Sequence, residues 1–163
     1  MSRDRVLEST AAALRSGVTT AAEIDALLTA RPRVAGRGRL RQALAVLEGD
    51  GALARSGVEV VALDALIASG LPRPVVAHRV HDAAGRLLAE VDLAYPAHRL
   101  AIEIDGYRWH SSPAAKRADE ARQNHLVMAG WTVLRFSAGD VRHRPHELVA
   151  TVRATLATLP LVG

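Results

Sequence analysis

The chain has 163 residues, of which 49% are apolar and none is cysteine. This length suits one ordinary domain, or a domain with a small extension, that buries a hydrophobic core. The lack of cysteine excludes disulfides and thiolate metal sites. No apolar run approaches the length of a membrane span, and the N-terminus lacks an apolar signal core, so we expect a cytoplasmic protein. The net charge of +4 permits an anionic partner such as nucleic acid.

The first third of the chain has the pattern of three short helices. A capping box formed by Thr20 and Glu23 predicts the start of the second helix, and the third is predicted over about 38–48. Such a trio could be a helix-turn-helix DNA-binding module, although a plain packing module is the simpler interpretation. Residues 1–52 are therefore predicted to form a helical N-terminal extension.

From residue 53 onward the pattern changes to helices that alternate with strands. A helix with the apolar stripe Val60, Leu63, Leu66 and Ile67 should run to about Ser69. The strand candidates are 75–80, 87–95, 99–106 and 131–136, and the later helices are predicted at about 113–130 and 146–159. The order helix, three strands, helix, strand, helix predicts an α/β domain with a mixed sheet.

The segments 87–95 and 99–106 are predicted to form one β-hairpin. Because side chains alternate between the two faces of a strand, Val91 and Leu93 should share one face, with Asp92 on the other. On the second strand, Glu103 and Asp105 should share a face opposite to that of the apolar residues Leu100, Ile102 and Ile104.

Acidic side chains are predicted to meet across this hairpin. If the chain reverses at residues 97–98, Asp92 lies directly opposite Glu103, and Asp105 follows two residues later. Like charges in this arrangement repel each other unless a cation lies between them, and a divalent ion held by oxygen ligands would do so. Mg²⁺ (or Mn²⁺) at such a site could drive phosphodiester hydrolysis. Glu59, in the first turn of the preceding helix, is a fourth candidate ligand, although helix capping also explains it.

Three blocks of this sequence resemble the PD-(D/E)xK nuclease superfamily. They are residues 91–96, 103–110 and 129–136. Within the superfamily the chain looks most like the DUF559 group, which is similar to the very-short-patch repair endonucleases. The resemblance covers about residues 56–159. It implies a restriction-endonuclease-like α-β-β-β-α-β core within residues 53–163.

The resemblance also implies a Mg²⁺-dependent DNA endonuclease. Asp92 matches the central metal ligand, and Glu59, Glu103 and Asp105 match further ligand positions. The superfamily has a lysine two residues after the position of Glu103, and this chain has Asp105 there instead. His110 matches a histidine of the mismatch-nicking relatives, where it could orient or deprotonate the attacking water.

The helix after the third strand should carry the contacts to DNA. Lys116, Arg122 and Asn124 are the candidate nucleic-acid-binding residues, with Asp119 on the same polar face as Arg122. A solvated side-chain network is the alternative for this face. Two other functions remain open: a non-catalytic nucleic-acid-binding or regulatory protein, for instance one linked to toxin–antitoxin or phage-defence modules, and an acidic-faced protein-interaction domain. The oligomeric state is open as well, and a homodimer is one possibility.

Overall fold

The computed structural model describes residues 3–47, 57–105 and 113–162. The helices within these ranges are α1 (Arg3–Arg15), α2 (Ala21–Ala30), α3 (Arg37–Leu47), α4 (Gly57–Ala68), α5 (Pro113–Met128), α6 (Ala138–His143) and α7 (Pro145–Thr158). The strands are β1 (Val75–His81), β2 (Leu87–Tyr95), β3 (Leu100–Asp105) and β4 (Thr132–Ser137). None of these described helices has the length and apolarity needed to cross a membrane. The predicted boundary between residues 52 and 53 lies outside the described ranges, so the division into two parts stays a prediction.

The strands form one sheet in the order β1-β2-β3-β4. Strands β1, β2 and β3 pair antiparallel, whereas β3 and β4 pair parallel. The parallel pair requires a crossover connection, and α5 lies in it. The prediction of an α/β fold with a mixed sheet is therefore confirmed.

Helix α4 is the central helix of the larger hydrophobic core. The predicted apolar stripe is only part of its buried surface, because Val61, Ala62 and even Glu59 and Asp64 are buried as well. Residues 58–64, nearly two turns of α4, are all buried, so this part of the helix must be covered on every side. The cover includes α1 and α3, whose core residues Leu7, Ala11, Ala43, Val46 and Leu47 join those of α4 in a single cluster. The predicted N-terminal extension thus packs directly against the nuclease-like part.

The opposite face of the sheet packs against α5. A smaller cluster there comprises Val80, Ala89, Val91, Ala94, Ala101 and Leu126. Trp131 and Val133 pack against its edge. The sheet is therefore covered by α5 on one face and by α4 with its neighbouring helices on the other.

One prediction about the hairpin is wrong: Val91 and Leu93 do not share a face. Leu93 belongs to the cluster around α4, whereas Val91 belongs to the cluster on the α5 side. The change of face occurs at Asp92, the residue between them. Ala77, which stands opposite Asp92 in the β1–β2 register, has a left-handed backbone with φ of 50°. Both strands therefore rotate together at this point, which strict alternation along a strand cannot anticipate.

Helix α6 was not predicted from the sequence. It has six residues, and Ser137 caps its start by accepting a hydrogen bond from the backbone N–H of Asp140. So short a helix carries too few apolar positions for a periodic pattern, and the capping serine is the only local signal.

Candidate active site

Asp92 lies where β2 and β3 separate. The pairing of these strands runs from Tyr95 opposite Leu100 to Leu93 opposite Ile102, and Asp92 is the next residue beyond it on β2. A carboxylate oxygen of Asp92, Oδ2, accepts a hydrogen bond of 2.8 Å from the backbone N–H of Ile104. The Asp92 side chain therefore reaches the backbone of β3 at the residue after Glu103.

Glu103 is one of the few buried charged residues, with 5% of its surface exposed. Arg122 of α5 binds both of its oxygens: Nη1 donates to Oε1, and Nη2 donates to Oε2 at 3.2 Å. Burying an isolated carboxylate is unfavourable, and a guanidinium that donates to both oxygens offsets this penalty. Arg122 also donates to Asp119 one helical turn earlier, at 2.6 Å.

Arg135 on β4 is a second cation at this site. It is the parallel-strand neighbour of Glu103, and its Nε lies 3.9 Å from Glu103 Oε2. Its guanidinium donates to both oxygens of Asp105, at 2.6 and 3.1 Å, and to Asp119 at 2.7 Å. Glu103, Asp105, Asp119, Arg122 and Arg135 together form what we call the carboxylate–arginine network.

The network contains three carboxylates and two guanidinium groups, so its formal charge is −1. Hydrogen bonds from Arg122, and then from Arg135, hold the pKa of Asp119 below its ordinary value. Burial by itself would lower the pKa of Arg122, but hydrogen bonds to Glu103 and Asp119 outweigh burial and raise it. The pKa of Arg135 is raised as well, first by its hydrogen bonds to Asp105. The network therefore has one more carboxylate than it has guanidinium groups.

The described residues contain no group of three or more acidic or histidine side chains placed to hold a metal ion together. The predicted gathering of Glu59, Asp92, Glu103 and Asp105 is therefore not formed among them. The physical reason is that Glu103 and Asp105 each turn toward an arginine, which neutralises them separately. Glu59 is buried in the first turn of α4, with 8% of its surface exposed. His110 lies outside the described residues.

The predicted nucleic-acid-binding residues all lie on α5 but in different surroundings. Arg122 belongs to the network, and a third of its side chain is exposed. The Lys116 side chain is 75% exposed and lies 4.0 Å from Glu120. Asn124 is exposed on the same helix. Of these three residues, only Arg122 therefore belongs to the carboxylate–arginine network.

Arg135 is the site residue that sequence reasoning missed. Its signal was available, because it is the only charged residue in the otherwise apolar segment Trp131–Phe136. A charged residue in the middle of a short strand needs a partner. That partner could be identified only after β4 was known to pair with β3 in parallel register.

The fold and this site define a domain of the restriction-endonuclease-like class. Residues 76–156 match the model of a family in that class, and the match runs from β1 into α7 and contains the whole network. The matching family model is REase_MTES_1575, and residues 76–156 are similar to it.

Two curated relatives come from Mycobacterium tuberculosis. They are the uncharacterized proteins MT2308 of strain CDC 1551 and Rv2248 of strain H37Rv, each 32% identical to this chain over 161 residues. The similarity covers 99% of this chain, including α1 to α3, and 58% of each relative. The chain thus spans little more than half the length of these relatives. No solved structure matches the chain.

Proposed function

We propose that the chain is a metal-dependent DNA endonuclease that hydrolyses or nicks phosphodiester bonds. The family match supports a nuclease-type function. One observation carries the proposal to particular residues: the Asp92 carboxylate accepts a hydrogen bond from the backbone N–H of Ile104, the residue after Glu103. Two acidic side chains from neighbouring strands can then share one cation.

Asp92 and Glu103 fit a Mg²⁺ or Mn²⁺ site with two protein carboxylates. Mg²⁺ commonly binds through one or two carboxylates and keeps several water molecules, so a larger acidic group is not required. Asp105 accepts hydrogen bonds from Arg135 on both oxygens and supplies negative charge in this arrangement. That Asp105 and Glu59 also bind the metal ion is part of the proposal, and it rests on the sequence. A bound ion would polarise the phosphorus and lower the pKa of an attacking water.

The remaining roles follow from charge and position. Arg122, a third exposed beside Glu103, places a cation where charge develops on a phosphate during hydrolysis. Lys116 and Asn124 on the exposed surface of α5 would contact the DNA backbone, where such contacts position the duplex. His110 as the group that orients the attacking water rests on the sequence resemblance. The relationship to the DUF559 and very-short-patch repair proteins rests on the same resemblance. A role in DNA repair or phage defence and assembly as a homodimer are further parts of the proposal.

Cleavage of supercoiled plasmid with Mg²⁺, Mn²⁺ or EDTA tests the proposal. We expect metal-dependent nicking by the wild type, and a loss of at least about a hundredfold in Asp92→Asn, because the ion then loses a charged ligand. Asp25→Asn is the matched control, since Asp25 is exposed on α2, and it should cleave like the wild type. Cleavage that survives in Asp92→Asn, or that persists in EDTA, would refute this site.

The second candidate is a DNA-binding protein that keeps the fold without cleaving. The pairing of Glu103 and Asp105 with arginines favours it, as does the lack of a three-ligand group among the described residues. This function predicts DNA binding that is unchanged by Mn²⁺, no Mn²⁺ binding by calorimetry, and no cleavage of any DNA structure offered. Measurable Mn²⁺ binding that Asp92→Asn removes would exclude it.

A further inference from the structure

Arg122 binds Glu103, a buried carboxylate that is a ligand of the proposed metal ion. Both oxygens of Glu103 accept hydrogen bonds from its guanidinium, and the Glu103 side chain is 6% exposed. A divalent ion on Glu103 would therefore lie against a group of like charge, in surroundings that screen charge poorly. The ion and Arg122 compete for the same carboxylate.

Arg122 can leave Glu103 without losing all its partners. Its Nη2 also donates to Asp119 at 2.6 Å, and both residues lie on α5, three positions apart. A third of the Arg122 side chain is exposed, so the guanidinium has a path toward solvent. Asp105 keeps its partner Arg135, whose guanidinium donates to both of its oxygens.

We propose that Arg122 is an exchangeable counter-ion that couples metal binding to DNA binding. This inference rests on the proposed function. Without metal, Arg122 neutralises Glu103. When a divalent ion takes Glu103, the released guanidinium, still anchored by Asp119, turns to a phosphate of the DNA. Metal and DNA then each strengthen the binding of the other, by the same factor.

The test measures binding rather than turnover. Ca²⁺ serves as the metal probe, since it binds carboxylate oxygens, and a gel checks that a short DNA duplex stays intact. Calorimetry gives the Ca²⁺ affinity with and without the duplex, and fluorescence anisotropy gives the duplex affinity with and without Ca²⁺. All variants are measured in the same buffer at pH 8. For the wild type, we expect the duplex to raise the Ca²⁺ affinity about tenfold, and Ca²⁺ to raise the duplex affinity by the same factor.

The variant Arg122→Gln should separate the two effects of the arginine. In this variant no arginine competes for Glu103, so Ca²⁺ without DNA should bind about tenfold more tightly than it binds the wild type. The duplex should then no longer change the Ca²⁺ affinity, and Ca²⁺ should no longer change the duplex affinity. Arg117→Gln, an exposed arginine on the same helix, should leave both values unchanged. Arg122→Lys, which keeps the charge but cannot hold both Glu103 oxygens, should show a reduced coupling, and it replaces Arg122→Gln if that variant does not fold.

Two results would overturn the inference. One is Ca²⁺ binding that weakens or stays the same in the Arg122 variants, and the other is coupling equal to that of the wild type. A failure of the proposed function itself would look different. In that case the wild type would bind no Ca²⁺ and no Mn²⁺, and Asp92→Asn would match the wild type in every measurement.

Discussion

Replacing either arginine of the network by methionine should destabilise the fold, but by unequal amounts. Arg122→Met leaves Glu103 without its bidentate partner, and the Glu103 side chain is only 6% exposed. Breaking a buried ion pair from one side costs about 3 kcal/mol, because a charge stays buried without a partner. Arg135→Met removes a partner from Asp105 and Asp119, whose side chains are 49% and 36% exposed and reach water, so we expect about 1 kcal/mol.

Urea unfolding followed by circular dichroism at pH 7 measures both differences in unfolding free energy, and thermal unfolding of the same samples gives the melting temperatures. For a chain of this length, Arg122→Met should lower the melting temperature by roughly 6–12 °C and Arg135→Met by roughly 2–4 °C. The double variant Glu103→Leu with Arg122→Met should recover most of the loss, since no unpaired charge then remains. Equal losses for the two arginines, or a double variant no more stable than Arg122→Met, would refute the reasoning from burial.

Three further predictions concern the acid limb of stability, the core and the strand rotation. The pKa of Asp119 is lowered in the folded state, so the stability it contributes is complete above its unfolded pKa of about 3.9 and is lost as the pH falls through the folded value. Asp119→Asn should therefore be less stable than the wild type at pH 7 and should lose less stability when the pH is lowered to 3. An equal loss of stability in both proteins would contradict this. Leu63→Ala, at a fully buried position of α4, should cost about 2–5 kcal/mol of unfolding free energy, whereas Leu27→Ala, half exposed on α2, should cost about 1 kcal/mol or less. Ala77→Val should lower stability by about 1–2 kcal/mol because Ala77 has a left-handed backbone, while Ala77→Gly should be close to neutral, and a tolerated valine would show that the strand rotation is relaxed in solution.

The fold could be predicted from the sequence wherever one local signal was strong. The capping box of Thr20 and Glu23 forms, with both of its hydrogen bonds, at the start of α2. Pro113 begins α5, and the strands β1 to β4 lie within about one residue of their predicted ranges. Periodicity, capping residues and turn residues determine these elements through contacts close in the chain, and such contacts are visible in the sequence.

The features that could not be predicted depend on contacts between distant segments. Val91 faces α5 because β1 and β2 rotate together at Ala77 and Asp92, and no single strand contains that information. The burial of α4 on all sides needs α1 and α3, whose packing partners cannot be read from their own apolar stripes.

Near the candidate site, the hairpin register that pairs Leu93 with Ile102 was predictable from the turn between the two strands. The arginines were not, since pairing of Glu103 with Arg122 joins residues 19 positions apart through a crossover. An acidic pattern read alone predicts repulsion, and the sequence does not show which cation removes it. The ligand roles and the metal ion itself stay predictions.

Helices α1 and α3 pack against α4 in one hydrophobic core. The segment that matches the family model, residues 76–156, is therefore shorter than the segment that must fold together. A chain trimmed to residues 76–156 would lose α4 and leave the core face of its sheet open, including Leu93, Leu100 and Ile102, which are fully buried in the intact chain. Such a fragment would be prone to aggregation, because an exposed apolar sheet face recruits other chains. Recombination among homologues would then have to transfer the amino-terminal helices together with residues 76–156.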